Sequence, residues 1–248
     1  RCIGLRPGRL VILYYHGVSE QHLGKFRRQL DRLHASTAQV VKADFSGATE
    51  PGQWFVAITF DDALESVFRN AVPELAKRNM PTTIFVPYGV LGRTPDWEMD
   101  QDFPYRNEMV VATEQLHEVD PKNVTIGAHG MTHRSLVTMD RDAARFEITE
   151  SKTQLSRILG REVDTFAFPY GDHDDVVAGF CDAAGYRFAF TSVPTSLDPA
   201  GRSLLRGRVS AEPTDWRIEF WLKIRGAYSW RRFMRAIRQL RAPRAHIA

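Results

Sequence analysis

Short runs of apolar residues recur along the chain, and each is followed by a polar stretch in which apolar residues return at helical spacing. The runs cover residues 11–15, 56–60, 82–86, 124–128, 165–168, 187–190 and 204–206. Short runs that are apolar throughout are typical of strands buried on both faces of a parallel sheet. The alternation therefore predicts strands and helices that follow one another around such a sheet.

The polar stretches predict helices with recognisable ends. Apolar positions mark the first helix at Phe26, Leu30 and Leu33, and the second at Val67, Ala71, Leu75 and Ala76. A long helix begins at Asp140, passes through Phe146, Ile148, Leu155 and Ile158, and ends at Gly160; another runs from Asp174 to Ala184 before Gly185. Such units close most naturally into an irregular (β/α) barrel of the α/β class with about seven parallel strands. We expect one domain over residues 1–248.

The composition is that of an ordinary soluble globular protein. The 248 residues are 43% hydrophobic and 25% charged, with a formal net charge of +3. No run approaches the roughly 20 apolar residues that span a bilayer. Cys2 and Cys181 are too few for a disulfide framework, so we expect free thiols. Apart from one basic run the charges balance, so we expect no nucleic-acid partner. We also expect a monomer.

The basic run lies at the end of the chain, where we expect residues 226–248 to form an amphipathic helix. Its arginines are Arg231, Arg232, Arg235, Arg238, Arg241 and Arg244, and its apolar residues are Trp230, Phe233, Met234, Ile237 and Leu240. A solvated helix that closes the domain explains this pattern. Peripheral contact with a membrane surface is the alternative.

Residues capable of chemistry follow the predicted strands. His16 follows the first run, Asp61 and Asp62 follow the second, and His129 and His133 follow the fourth. Active sites of such barrels lie at the carboxyl ends of the strands. These side chains are therefore expected to meet at one face of the barrel.

The two aspartates and two histidines together have the composition of a metal site. Neighbouring carboxylates such as Asp61 and Asp62 repel each other unless a cation compensates, whereas capping of the next helix, the alternative, needs only one of them. His129 and His133 are four residues apart, so both imidazoles can reach one point. Two imidazoles and one carboxylate form a catalytic divalent-metal site, with Zn²⁺ as the first expectation and Co²⁺, Ni²⁺ or Mn²⁺ as alternatives. The second carboxylate is then free to act as a general base.

The order of these motifs resembles that of the polysaccharide deacetylases, the NodB-like carbohydrate esterases of family four. The TFDD stretch that ends at Asp62 and the pair His129 and His133 are similar to the first two motifs of that family, although Ala63 stands where the family usually has glycine. The resemblance implies a NodB-homology barrel in which Asp61 is the base and Asp62, His129 and His133 bind the metal. It also implies a hydrolase that removes N-acetyl groups from an N-acetylglucosamine-type polymer and releases acetate.

The FPYG stretch is similar to the third motif of the family. The resemblance implies that one wall of the substrate groove consists of Phe168, Pro169, Tyr170 and Gly171. It also implies that the backbone N–H of Tyr170 stabilises the oxyanion. The arginine that steadies the base in the family is missing from this stretch. We place Arg206 at the substrate groove, where it or Arg208 supplies that charge; ordinary surface arginines are the alternative.

The usual general acid, a histidine in a late Leu-x-His motif, is also missing. The ILYYHGV stretch is similar to the first strand of the circularly permuted poly-N-acetylglucosamine deacetylases, which implies that His16 is the acid. The alternative is a partly buried histidine packed at a strand end. Trp97, on a long connecting loop, is expected to stack on a sugar ring or to pack on the barrel rim.

Two other functions stay open. The same metal site would serve an O-acetyl esterase or a glycolipid deacylase, and a non-catalytic carbohydrate-binding relative would keep the barrel without turnover. Substrate trials separate the first alternative, and metal analysis with an acetate-release assay separates the second. Because the chain begins at Arg1, its location stays open between the bacterial cytoplasm and the cell envelope.

Overall fold

Nine β-strands and six α-helices form the part of the chain that the computed structural model describes, residues 8–195, 197, 199–201 and 203–230. The strands are β1 (Arg9–Tyr15), β2 (Gln39–Val41), β3 (Trp54–Phe60), β4 (Thr82–Val86), β5 (Val124–Ala128), β6 (Thr165–Ala167), β7 (Phe188–Thr191), β8 (Leu205–Gly207) and β9 (Val209–Ser210). The helices are α1 (Glu20–His34), α2 (Val72–Ala76), α3 (Thr113–Glu118), α4 (Arg141–Leu159), α5 (Asp175–Ala183) and α6 (Arg217–Ile224).

The strands form one parallel sheet in the order β8-β7-β6-β5-β4-β3-β1-β9. The short strand β2 pairs with the first half of β3, and β4 pairs with its second half. The two ends of the sheet, β8 and β9, are separated along the chain by Arg208 alone. The sheet therefore rolls into a nearly closed barrel whose seam lies at that arginine, which confirms the predicted fold.

Alternate residues of the strands pack into two separate layers. In β1, Leu10 and Ile12 belong to a cluster that contains strand and loop residues but no helix residue, so this cluster fills the barrel interior. Val11 and Leu13 belong to the larger layer between the sheet and the helices. Because both faces of the strands are covered, the strand sequences are apolar throughout rather than alternating.

All seven predicted strands are present, with ends that differ by at most two residues. The sequence prediction missed β2 and β9, which have three and two residues. Strands this short carry no period that a sequence pattern can reveal. The second of them matters most, because pairing of β9 with β1 draws the barrel together.

The predicted helices are largely confirmed. In α4, the Asp140 side chain accepts a hydrogen bond from the Ala143 N–H, and Gly160 ends the helix at a φ of 62°. Phe146 was wrongly assigned to the buried face and is 58% exposed, since that face carries Ala144, Ile148, Ser151 and Leu155. The predicted second helix is divided into a π-helical turn, Val67–Ala71, and α2.

Several expectations fall outside the described residues. Cys2 lies before the first described residue, and the greater part of the predicted C-terminal helix lies after residue 230, the last one described. The described start of that segment, Ala227–Trp230, forms a 3-10 turn. Cys181 is a buried free thiol, as expected, and burial raises its pKa. Within the described residues, none of the helices combines the length and the apolar composition that crossing a bilayer requires.

Candidate metal centre and active-site cleft

A cleft of about 880 Å³ opens at the carboxyl ends of the strands. Asp61 and Asp62 follow β3 directly, and His129 follows β5. These three line the cleft together with His16 and His133, so the barrel brings the strand-end residues to one face. Phe85 and Phe190, from β4 and β7, pack against each other below them at a centroid distance of 5.2 Å.

Asp62, His129 and His133 converge on one point. A ligand atom from each lies within 4.8 Å of the other two, and all three residues are buried. Oδ1 of Asp62 lies 3.6 Å from Nε2 of His129 and 3.1 Å from Nε2 of His133, and it has no hydrogen-bond partner among the described residues. Two imidazole nitrogens and one carboxylate oxygen form a donor set that fits a divalent ion. Such an ion, which the family implies, would therefore satisfy the otherwise unpartnered oxygen.

The protonation of His129 and Asp62 suits metal binding. Nδ1 of His129 lies 2.7 Å from the carbonyl oxygen of Ala167, which fixes the proton on Nδ1 and leaves the lone pair of Nε2 free. Burial lowers the pKa of His129 to about 4, so the ring is neutral. Burial alone would raise the pKa of Asp62, but His133 beside it holds that pKa well below its usual value.

Asp61 has a different partner. The guanidinium of Arg208 holds its carboxylate with two bonds, Nη1 to Oδ1 at 2.6 Å and Nη2 to Oδ2 at 2.9 Å. Both side chains are buried, at 7% and 1% exposure. Burial would raise the pKa of Asp61, but Arg208 outweighs it and the pKa is lowered. Asp61 is therefore an ionised carboxylate of fixed orientation.

Arg208 is supported by aromatic rings on the inside of the barrel. Its Cζ lies 4.8 Å from the ring centroid of Tyr14 and 5.2 Å from that of Phe85. The sequence left the supporting charge open between Arg206 and Arg208, and the structure gives it to Arg208. Tyr14, which the sequence analysis did not single out, helps to hold Arg208 in place through this ring contact.

The placement of Arg206 at the substrate groove is wrong. Its Nη1 donates to the carbonyls of Ala43 and Phe45, both at 2.8 Å, and its Cζ lies 3.5 Å from the ring centroid of Phe188. Arg206 is buried at 3% exposure and does not line the cleft. These contacts place the Arg206 side chain in the barrel interior. Arg206 and Arg208 are two residues apart, which is about 6.6 Å along an extended strand. Arg206 therefore lies below the level of Arg208.

The expected FPYG wall is correct for only half of its residues. Tyr170 and Gly171 line the cleft, but Phe168 is fully buried and stacks on His173 at 5.4 Å. Pro169 is also buried. The two are therefore corrected from substrate-binding to packing residues, because the tight turn presents only its second half to the cleft.

Unusual backbone conformations gather at the site. Asp62, Ala63, His133 and Tyr170 have φ of 67°, 50°, 56° and 58°, and Asn79 is the other non-glycine residue with positive φ in the described chain. Left-handed conformations cost a non-glycine residue free energy and are retained where function needs them. At Asp62 and Ala63 the turn separates the two neighbouring carboxylates, so that each meets a different partner.

His133 is enclosed by two aromatic rings. Trp97 stacks on it at a centroid distance of 4.2 Å and an interplanar angle of 27°, and Tyr170 meets it edge-on at 4.9 Å. The hydroxyl of Tyr170 donates to the carbonyl of Glu98 at 3.1 Å, which joins the two loops. Trp97 therefore packs on the barrel rim, one of its two expected roles, and shields His133.

His16 lies at the end of β1 and lines the same cleft. Its ring meets Tyr14 edge-on at 5.7 Å and Phe103 at 5.3 Å. Nδ1 is buried without a hydrogen-bond partner among the described residues. The imidazole is thus held by aromatic packing on the side of the cleft formed by β1.

Known proteins are similar to this chain both in sequence and in fold. The polysaccharide deacetylase family model matches residues 48–189, which include Asp61, Asp62, His129 and His133. YxkH of Bacillus subtilis (strain 168) is 23% identical over 217 residues, 83% of this chain and 73% of that protein. IcaB from Ammonifex degensii is 26% identical with a TM-score of 0.72, covering 89% of this chain and 97% of that one.

A further solved structure agrees in fold. The deacetylase PplD of Streptococcus pyogenes, in complex with acetate, is 19% identical with a TM-score of 0.73, and the alignment covers 88% of this chain and 99% of that one. The family match spans more than half of the chain and contains the aspartate pair and both histidines. The chain belongs to the polysaccharide deacetylase family, and it is a carbohydrate deacetylase.

Proposed function

We propose that this enzyme removes N-acetyl groups from an N-acetylglucosamine-type polymer, with a divalent metal held by Asp62, His129 and His133. The observation that carries the proposal is the convergence of three buried ligand atoms within 4.8 Å. Nitrogen and carboxylate donors favour Zn²⁺, with Co²⁺, Ni²⁺ and Mn²⁺ as alternatives. A structural role for this cluster is disfavoured, since Oδ1 of Asp62 is buried at the point where the three residues meet and has no hydrogen-bond partner among the described residues.

The roles of the remaining groups follow from their positions. When bound, a divalent ion supplies Lewis acidity that activates water and polarises the acetyl carbonyl. Asp61, kept ionised and oriented by Arg208, accepts the proton of the attacking water. The backbone N–H of Tyr170 donates a hydrogen bond to the oxyanion that develops. His16 gives a proton to the leaving nitrogen.

The histidine at the β1 side of the cleft favours an amide over an ester substrate. An amine leaves a tetrahedral centre only after it has been protonated, whereas an alkoxide depends less on an acid. His16 lines the cleft, and aromatic contacts on two sides hold its ring. The polymer and the sugar unit are inferred from the ILYYHGV stretch, which is similar to the first strand of the poly-N-acetylglucosamine deacetylases.

Metal titration together with acetate release tests the proposal. We expect the wild-type enzyme to bind Zn²⁺, to lose acetate release from N-acetylglucosamine oligomers on metal removal and to regain it on reconstitution. D62N should bind Zn²⁺ weakly and release no acetate, because Asn offers no anionic ligand. Full turnover by enzyme verified as metal-free, or wild-type Zn²⁺ affinity in D62N, would refute the proposal.

A further inference from the structure

Glu147 is a buried carboxylate on α4 whose hydrogen bonds go to the loop between the two histidine ligands. Its Oε2 accepts the backbone N–H of Met131 at 2.6 Å and that of Thr132 at 2.9 Å. Its Oε1 accepts the Thr132 hydroxyl at 2.7 Å. The side chain is 4% exposed, so three donors from the loop replace its lost hydration.

Glu147 lies where an apolar residue would be expected. It shares the buried face of α4 with Ala144, Ile148, Ser151 and Leu155. None of the ion pairs between described residues includes it, whereas Glu74, a comparably buried carboxylate, pairs with Arg27, Lys77 and Arg78. A buried charge without a counter-ion is costly. Its retention points to a task at the loop.

The loop is held from two opposite sides. The carbonyls of Gly130 and Met131 accept the N–H groups of Tyr88 and Gly89 at 3.0 and 2.8 Å, while Glu147 takes the amides. There is little free space on either side: a Cβ at Gly89 would lie 2.6 Å from the Met131 carbonyl oxygen, and one at Gly130 would lie 3.0 Å from Oε2 of Glu147. The backbone is thereby fixed on both sides just before His133.

The position of His133 depends on this backbone. His133 adopts a left-handed φ of 56°, a conformation that a free loop would leave. Its Nε2 then lies 3.1 Å from Oδ1 of Asp62. Relaxation of the preceding amides would turn the imidazole away from that point.

We propose that Glu147 is a positioning residue that clamps the loop of residues 130–132, aims His133 at Asp62 and His129, and so sets the affinity of the site for its metal. The inference rests on the proposed function, because it assumes that these three residues bind the ion. Groups that orient metal ligands in this way change metal affinity by about 10- to 100-fold.

Variants of Glu147 separate geometry from charge. In E147Q the amide oxygen can accept both backbone N–H groups and the NH₂ can donate to the Thr132 hydroxyl, so the Zn²⁺ Kd should stay within about threefold of wild type. In E147A all three bonds are lost, and the Kd should rise about 10- to 100-fold. Hydrogen exchange at the Met131 and Thr132 amides of the metal-free protein should be faster in E147A than in E147Q.

Glu74 supplies the matched control. E74A also removes a buried carboxylate, but on α2 and outside the cleft. It should lower Tm and leave the Zn²⁺ Kd unchanged. If E147A does not fold, E147D replaces it, because its shorter side chain cannot reach both amides; the Kd should then rise at least about tenfold.

The outcomes distinguish the two proposals. A wild-type Zn²⁺ Kd in E147A or E147D, with a lowered Tm as in E74A, would overturn the role of Glu147 and leave the metal site intact. A wild-type protein that binds no Zn²⁺ and turns over without it would instead overturn the proposed function itself.

Discussion

Asp61 and Asp62 are neighbours in sequence, and both are buried, yet their surroundings are opposite. Asp61 is held by two bonds from the Arg208 guanidinium. Asp62 has no such cation within the described part of the chain and faces two imidazole nitrogens at 3.1 and 3.6 Å. A carboxylate with a permanent counter-ion is neutralised in place. One without a counter-ion leaves room for a metal.

This difference arises at the turn after β3, which directs the two carboxylates to different partners. Left-handed φ values at Asp62 and Ala63 turn the chain directly after β3, so the carboxylates point to different sides of the barrel mouth. Arg208 enters from the seam between β8 and β9, whereas the histidines come from β5 and the loop after it. The proposed proton transfer and the proposed metal binding are thereby supported by separate parts of the barrel. Variants of each part should separate them.

Replacement of Asp61, the proposed base, should give the largest effect. D61N keeps the size of the side chain but cannot accept a proton, so acetate release should fall by about 10²- to 10⁴-fold. Zn²⁺ affinity should be unchanged, because Asp62 and the histidines remain. Acetate release and metal titration on the same preparation measure both. A near-normal rate would remove Asp61 from the role of base.

Removal of Arg208, the counter-ion of Asp61, should lower the stability of the fold. R208M leaves Asp61 buried without a partner, and the free energy of unfolding should fall by about 3–5 kcal/mol. Urea denaturation measures it. The double variant D61N/R208M should recover much of the loss, because no charge is then left unpaired. A loss under about 1 kcal/mol in R208M would mean that the pair is not effectively buried.

The proposed acid is tested by a choice of substrate. H16A should release acetate from N-acetylglucosamine oligomers at least about 100-fold more slowly. An aryl acetate, whose phenolate leaves without a proton, should be affected far less. Metal content should stay at the wild-type level. Equal loss on both substrates would assign His16 a structural role instead.

The smallest effect is expected at Ala63. Its φ of 50° costs a non-glycine residue about 1–2 kcal/mol, which A63G would recover. Loss of the buried methyl and the greater chain entropy of glycine cost about as much. The free energy of unfolding should therefore change by less than about 1 kcal/mol, and acetate release should be retained. A loss above about 2 kcal/mol would show that the methyl group packs better than this balance assumes.

The sequence predicted the barrel and brought together the candidate metal ligands because both depend on local pattern. Apolar runs marked the strands, and the ends of those strands carried Asp62 and His129. Arg208 could not be separated from Arg206, since the choice depends on where β8 ends and on β9, which has two residues. Phe168 was wrongly predicted to line the groove, because the residue types of a tight turn do not show which of its side chains face the cleft.

The sequence contains one indication of the role of Glu147, but it can be interpreted only once the buried face of α4 is known. An acid on the apolar face of a predicted helix is unusual, and it becomes visible once Phe146 is removed from that face. Its partners lie 15 and 16 residues earlier in the chain. No spacing rule links such positions, because the contact arises from how α4 packs against the loop.

The central claim is that Asp62, His129 and His133 bind one cation while Asp61 does not. Anomalous diffraction at the zinc edge, from crystals soaked with Zn²⁺ and acetate, tests it most directly. We expect a single strong peak about 2.0–2.2 Å from a carboxylate oxygen of Asp62 and from Nε2 of both histidines, with Asp61 still paired to Arg208. A peak bound by Asp61, or an Asp62 carboxylate turned away from the imidazoles, would contradict it.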